Sequence, residues 1–240
     1  MDERSINDII NEGMEVRKSI IFNKLVCNEE LTADIVCSEL SRNHYSDKSG
    51  IGTLGVAIDE GVVHVEVLMK IPTYINSYDP NERTFNKTVV DVFEEVVVDL
   101  DFNNYILYSS SASSKLNKAK AFMRNLFGGK LAYDNIHFPH PKVFEWLEKE
   151  EFQYNILSMS IRKFKYDESA IGRFSVQISS KETGLKLMDE YKEEVRNVVL
   201  KVEPNGISSF VMQCAMQNTI ALKCEESDYW TIVEIIKRNL

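Results

Sequence analysis

The stretch Ile51 to Ile71, IGTLGVAIDEGVVHVEVLMKI, decides the fold class of this 240-residue chain. Its apolar residues recur at every second position on either side of Asp59-Glu60-Gly61, the pattern of two strands joined by a tight turn. In the returning strand Val63, Val65, Val67 and Met69 share one face, and His64, Glu66 and Lys70 share the other. One face is therefore expected in the core and the other in water.

The glycines at the head of this hairpin, Gly50, Gly52 and Gly55, spell GxGxxG. A dinucleotide site needs a strand before that motif and a helix N-terminus after it to receive the pyrophosphate. Here a polar loop precedes and a hairpin follows, so the glycines are read as bending the chain into an edge strand. Gly128-Gly129-Lys130 lacks the flanking strand and the Ser or Thr of a phosphate loop, and is read as a helix stop.

Toward the N-terminus, SINDIINEG predicts a short helix from Ser5, Lys18 to Cys27 suits a strand, and a second helix is expected behind Asn28 with Leu31, Ile35 and Leu40 as its stripe. Toward the C-terminus, Pro72, Pro80 and their Asn, Ser and Asp neighbours predict a loop over 72–87. TVVDVFEEVVVDLDF fits both a helical stripe and a β-branched strand, and strand is expected after Glu94. Strand Tyr105–Ser109, helix Lys115–Phe127, a linker DNIHFPHP, a helix from Pro141 and a strand Asn155–Lys165 follow. Residues 171–239 then read as β-α-β-β-β-α.

These elements predict an α+β fold with mostly antiparallel sheets and packed helices. Ungapped overlay of Asn104–Leu126 on Asn218–Leu240 gives six identities, including Arg124-Asn125-Leu126 on Arg238-Asn239-Leu240. That suggests two related βαβββα-like lobes, against the plainer reading that strand-turn-helix segments resemble one another. The expected organisation is a helical element over 1–50, an α+β lobe over 51–135 ending in strand-helix, and a second lobe over 136–240.

Composition excludes several classes. The 37 Asp and Glu against 28 Lys and Arg give a net charge of -9, which disfavours long-range attraction to nucleic acid or an anionic membrane. Residues 1–60 hold six basic and twelve acidic residues, so no helix there offers a phosphate-neutralising face. An acidic N-terminus and the lack of a long apolar run predict no export signal and no membrane span. Cys27, Cys37, Cys214 and Cys224 are expected as free, at least half-buried thiols of a cytoplasmic protein.

Two clusters stand out as candidate sites. Ser109–Lys130, SSSASSKLNKAKAFMRNLFGGK, contains no acid, and Ser113, Ser114, Lys115, Lys118, Lys120 and Arg124 suit an anion or nucleic-acid contact at a helix start. The plainer reading is that the serines cap the helix and the lysine stems cover its apolar rim. Asp134, His137 and His140 have spacings that suit a metal, or else a helix cap and a packed imidazole. His64 and Glu66, on one strand face, could form an acid–base pair.

With no nucleophile elbow, HExxH or kinase motif, the favoured expectation is a non-enzymatic binding or assembly protein, with a protein partner or a second copy and no cofactor. A nucleic-acid accessory factor using 109–130, and a metal-dependent enzyme using Asp134, His137 and His140, are the alternatives.

Overall fold

A computed structural model describes residues 15–28, 30–137, 140–165, 171–215 and 218–240. It is an α+β structure whose strands pair antiparallel in each neighbour-to-neighbour ladder with an assigned register. The strands are β1 (Glu15–Cys27), β2 (Ile51–Asp59), β3 (Val62–Asp79), β4 (Thr84–Asp101), β5 (Ile106–Ser109), β6 (Leu131–Asn135), β7 (Gln153–Lys165), β8 (Ile171–Gln177), β9 (Val195–Glu203), β10 (Phe210–Ala215) and β11 (Thr219–Glu225). The helices are α1 (Ala33–Arg42), α2 (Ser113–Leu126), α3 (His140–Lys149), α4 (Lys181–Glu190) and α5 (Tyr229–Arg238). The helix expected from Ser5 lies outside the described residues.

The chain divides into two compact units, one of Asn23–Asp134 and one of the chain up to Phe22 with Asn135–Leu240. In the first, β2, β3, β4 and β5 lie side by side in that order, and Leu25 in the second half of β1 donates its N–H to the Tyr105 carbonyl at 2.7 Å. Val63, Val65, Val67, Val96, Val98 and Leu100 are fully buried and make the core face of β3 and β4. Val36 and Leu40 of α1 and Leu116, Ala119 and Met123 of α2 complete that core. In the second unit the order is β1, β11, β10, β9, β7, β8, and α5 buries Tyr229, Ile232, Val233 and Ile236.

Turn chemistry sets the first unit's registers. Glu60 and Gly61 both have positive φ (44° and 81°), the backbone of a two-residue hairpin turn, so Asp59 faces Val62 and Ile51 faces Met69. Gly52 is required for a different reason. A Cβ there would overlap the Tyr45 backbone, where Tyr45 N–H donates to Thr53 O and Thr53 N–H to Asn43 O, both near 3 Å. The GxGxxG glycines thus shape a strand start, as expected.

Several expectations are corrected. Helix α1 begins behind Thr32, whose hydroxyl accepts from Ile35 N–H, rather than behind Asn28, and Ile35 is exposed while Val36 is buried. Leu131–Asn135 is a strand, so Asp134 and Asn135 of the expected linker belong to it. Residues 72–87 are not a loop: β3 runs on to Asp79 and β4 starts at Thr84, with only 80–83 as the turn. Asp79 Oδ1 accepts from Asn81 N–H (2.8 Å) and Glu82 N–H (3.3 Å), closing that turn with a side chain.

Candidate functional site: an exposed two-stranded arm

The corrected hairpin is the most distinctive surface of the first unit. Eighteen residues of β3 pair with eighteen of β4, from Val62↔Asp101 to Asp79↔Thr84. Among the described residues other strands pair only with the root of this ribbon: β2 pairs with β3 as far as Met69, and β5 with β4 over Asp99–Asp101. Beyond the root, residues 72–78 and 81–93 are exposed without exception. At about 3.3 Å per residue, this free arm extends roughly 25 Å.

Its side chains are not those of a solvated hairpin. Directly paired residues share a face, so Tyr74 with Val89 and Tyr78 with Phe85 lie on the outer face, where Phe93 also points. Ile75, Val90 and Val92 occupy the opposite face, which continues the core face of the root. Phe85 is 74% exposed and Tyr74 63%. Tyr78 and Phe85 centroids are 5.2 Å apart, Lys87 Nζ lies 4.2 Å above the Tyr74 ring, and Tyr45, from outside the arm, meets Phe93 edge-on at 6.0 Å. Lys70 pairs with Asp91 at 2.8 Å, and that hydrogen bond raises the Lys70 pKa.

Pro72 sits in this strand because of where its nitrogen points. Lys70 N–H donates outward to Gly50 O at 2.8 Å, so the nitrogen two residues on faces the same edge, where β2 has already ended. No ladder bond is lost there.

At the root, His64 Nδ1 lies 2.6 Å from the largely buried Asp99 carboxylate, directly across the β3/β4 pair. Asp99, not Glu66, is therefore the partner of His64. The Asp79-Pro80-Asn81-Glu82-Arg83-Thr84 turn is the signal that could have found it, because a turn at 80–83 places residue 64 opposite residue 99.

The basic cluster lies on and beside α2. Ser113 and Ser114 are exposed in its first turn, where Ala112 is the cap and makes no side-chain hydrogen bond. Lys115 is paired with Glu94 at 3.0 Å. Lys120 is half-buried, its Nζ 3.3 Å from Asn23 Oδ1, and burial with the nearby Arg124 charge lowers its pKa. Lys118 and Arg124 are exposed, Lys118 beside a shallow depression bordered by Gly50 and Ile71.

Asp134 belongs to the first unit, exposed on β6, while His137 and His140 belong to the second. His137 is exposed at the rim of a cleft lined by Lys142, Trp146 and Ile236. His140 is buried at the start of α3, and burial holds its pKa down to about 4, partly offset by the Val195 backbone. Among the described residues no three His, Cys, Asp or Glu side chains group so as to hold a metal.

The four cysteines are free, Cys214 and Cys224 buried and the other two half-buried. Burial pushes the Cys214 thiol up to about 12, far from nucleophilic range. Among the described residues no helix is long and apolar enough to cross a membrane. The sequence matches no protein-family model, and no curated protein matches it.

Proposed function

We propose that this chain is a non-enzymatic assembly protein that docks onto protein through the β3–β4 arm. The observation that supports this reading is the exposure of large apolar side chains on both faces of one two-stranded ribbon. An isolated two-stranded ribbon is marginal in water. Exposed apolar side chains clustered on one element mark an interaction surface, and burying both faces would stabilise the ribbon and the complex together. The arm's few charges, Asp79, Glu82, Arg83, Lys87 and Asp91, nearly cancel, which suits protein rather than phosphate.

The nucleic-acid reading of Ser109–Lys130 has less support. With Lys115 on Glu94 and Lys120 half-buried, Lys118 and Arg124 are the exposed cations of the helix, too few for more than a shallow salt dependence. We also propose that the two units descend from one α-β-β-β-β-α unit. In support, α1-β2-β3-β4-β5-α2 matches α3-β7-β9-β10-β11-α5 in chain order and strand neighbours, with β8 and α4 inserted after β7.

A photo-cross-linking residue at Phe85, introduced in the cell that makes the protein, tests the arm. Discrete protein adducts are expected from position 85 and none from the exposed Lys186 of α4. No adduct at position 85 overturns the reading.

A further inference from the structure

We infer that the occupant of the arm is a second copy of this chain, paired antiparallel along the free edge of β4 about a two-fold axis through Val89. This rests on the arm reading above and adds partner, edge and register. Backbone N–H and C=O groups of a strand alternate between its two edges. Phe102 N–H, at an even-numbered position, donates across β3/β4 to Gly61 O, and Val97 O, at an odd-numbered one, turns the other way to accept from Ser109 Oγ. Odd-numbered residues of β4 therefore direct their backbone groups to the outer edge. Among the described residues no strand pairs with that edge between Thr84 and Val98.

The side chains of those same residues form a self-complementary series. Along the outer face they read Phe85, Lys87, Val89, Asp91, Phe93. Antiparallel pairing centred on Val89 sets Phe85 against the second copy's Phe93, Lys87 against its Asp91, and Val89 against itself. Each contact then occurs twice, as an isologous interface requires. Val89 becomes a hydrogen-bonded pair, exchanging N–H and C=O with its own counterpart. A shift of the centre by one residue sets Val89 against Asp91 or Lys87, and a shift by two sets Lys87 or Asp91 against itself, so unlike these four this register matches apolar with apolar and opposite charge with opposite charge. Phe85, Val89 and Phe93 are 74, 53 and 52% exposed, so the aromatic and aliphatic contacts are available. The result is a four-stranded ribbon in place of a two-stranded one, which removes the arm's marginal stability.

Charge reversal tests the register. Lys87→Asp puts acids at both 87 and 91 and Asp91→Lys puts lysines at both, so each variant alone sets like charges opposite one another at these two positions. Mixed one to one, they set acid against lysine at both positions. Native mass measured by light scattering is expected near 55 kDa, twice the 27.6 kDa chain, for the unmodified protein, near one chain for each variant alone, and again near two chains for the mixture. Recovery on mixing separates loss of the interface from loss of folding. A single-chain mass for the unmodified protein, an unchanged mass for the variants, or no recovery on mixing overturns the proposal. Adducts from position 85 with a different protein would overturn this proposal and leave the arm reading standing; no adducts at all would end both.

Discussion

His140 carries the clearest consequence at the scale of single residues. In the unfolded chain its imidazole takes a proton near pH 6.5, whereas burial in the folded protein delays that to about pH 4. The unfolded state therefore binds the extra proton first, so this contribution to stability is complete above pH 6.5 and is lost as pH falls toward 4. The loss amounts to something on the order of 3 kcal/mol. Urea unfolding at pH 7, 5.5 and 4.5 is expected to show a steep acid limb, flattened in His140→Phe; identical limbs would remove the assignment. Gly52→Ala is expected to cost about 2 kcal/mol or more, since the obstruction is Tyr45 backbone rather than a side-chain tip, and a melting temperature within a degree or two of wild type would contradict it. Neither effect was legible in the sequence. Burial of one imidazole, or the approach of two backbones, depends on tertiary packing that a loop composition such as DNIHFPH or SDKSGIG does not encode.

Among elements, the arm separates what patterning reveals from what it hides. Val63, Val65, Val67 and Met69 alternate cleanly because one face is buried, and that half of β3 was readable from period alone. Beyond Met69 both faces are solvated, alternation has nothing to enforce it, and Pro72, Asn76, Ser77 and Pro80 together look like loop. The pairing that overrides their propensities comes from β4, a partner that composition does not name. Replacing 74–89 by Asn-Gly, so that Thr73 and Val90, a hydrogen-bonded pair of the ladder, flank a two-residue turn, should leave unfolding free energy within about 1 kcal/mol of wild type, because the removed pairs are exposed. The same truncation is expected to abolish association; a large loss of stability would mean that the arm supports the core. Helix α2 was read closely, Ser113–Leu126 against the expected Lys115–Phe127, yet the Lys115–Glu94 pair depended on packing against β4 that no local pattern shows.

Across the whole molecule, net charge and the arm act in opposition. The charge of -9 at neutral pH repels copies at long range, against the short-range contact proposed for the arm. Near the isoelectric point, about 5.1, that repulsion vanishes. Light scattering across pH is expected to show species beyond a pair growing toward pH 5 in the intact chain and not in the arm-truncated one; equal scattering would place the sticky surface elsewhere. The long ribbon also bears on the order of folding. Zipping β3 onto β4 from the four-residue turn 80–83 closes a small loop, whereas joining Met69 to Glu94 first encloses 24 residues and costs about 1.6 kcal/mol more in chain entropy. The quick route must pass through the solvated tip before reaching the valines of the core, with little but the Tyr78–Phe85 contact to hold the first pairs. Removing that contact should slow folding while barely changing the unfolding rate, making the part of the chain that contributes least to the core the part that times its formation.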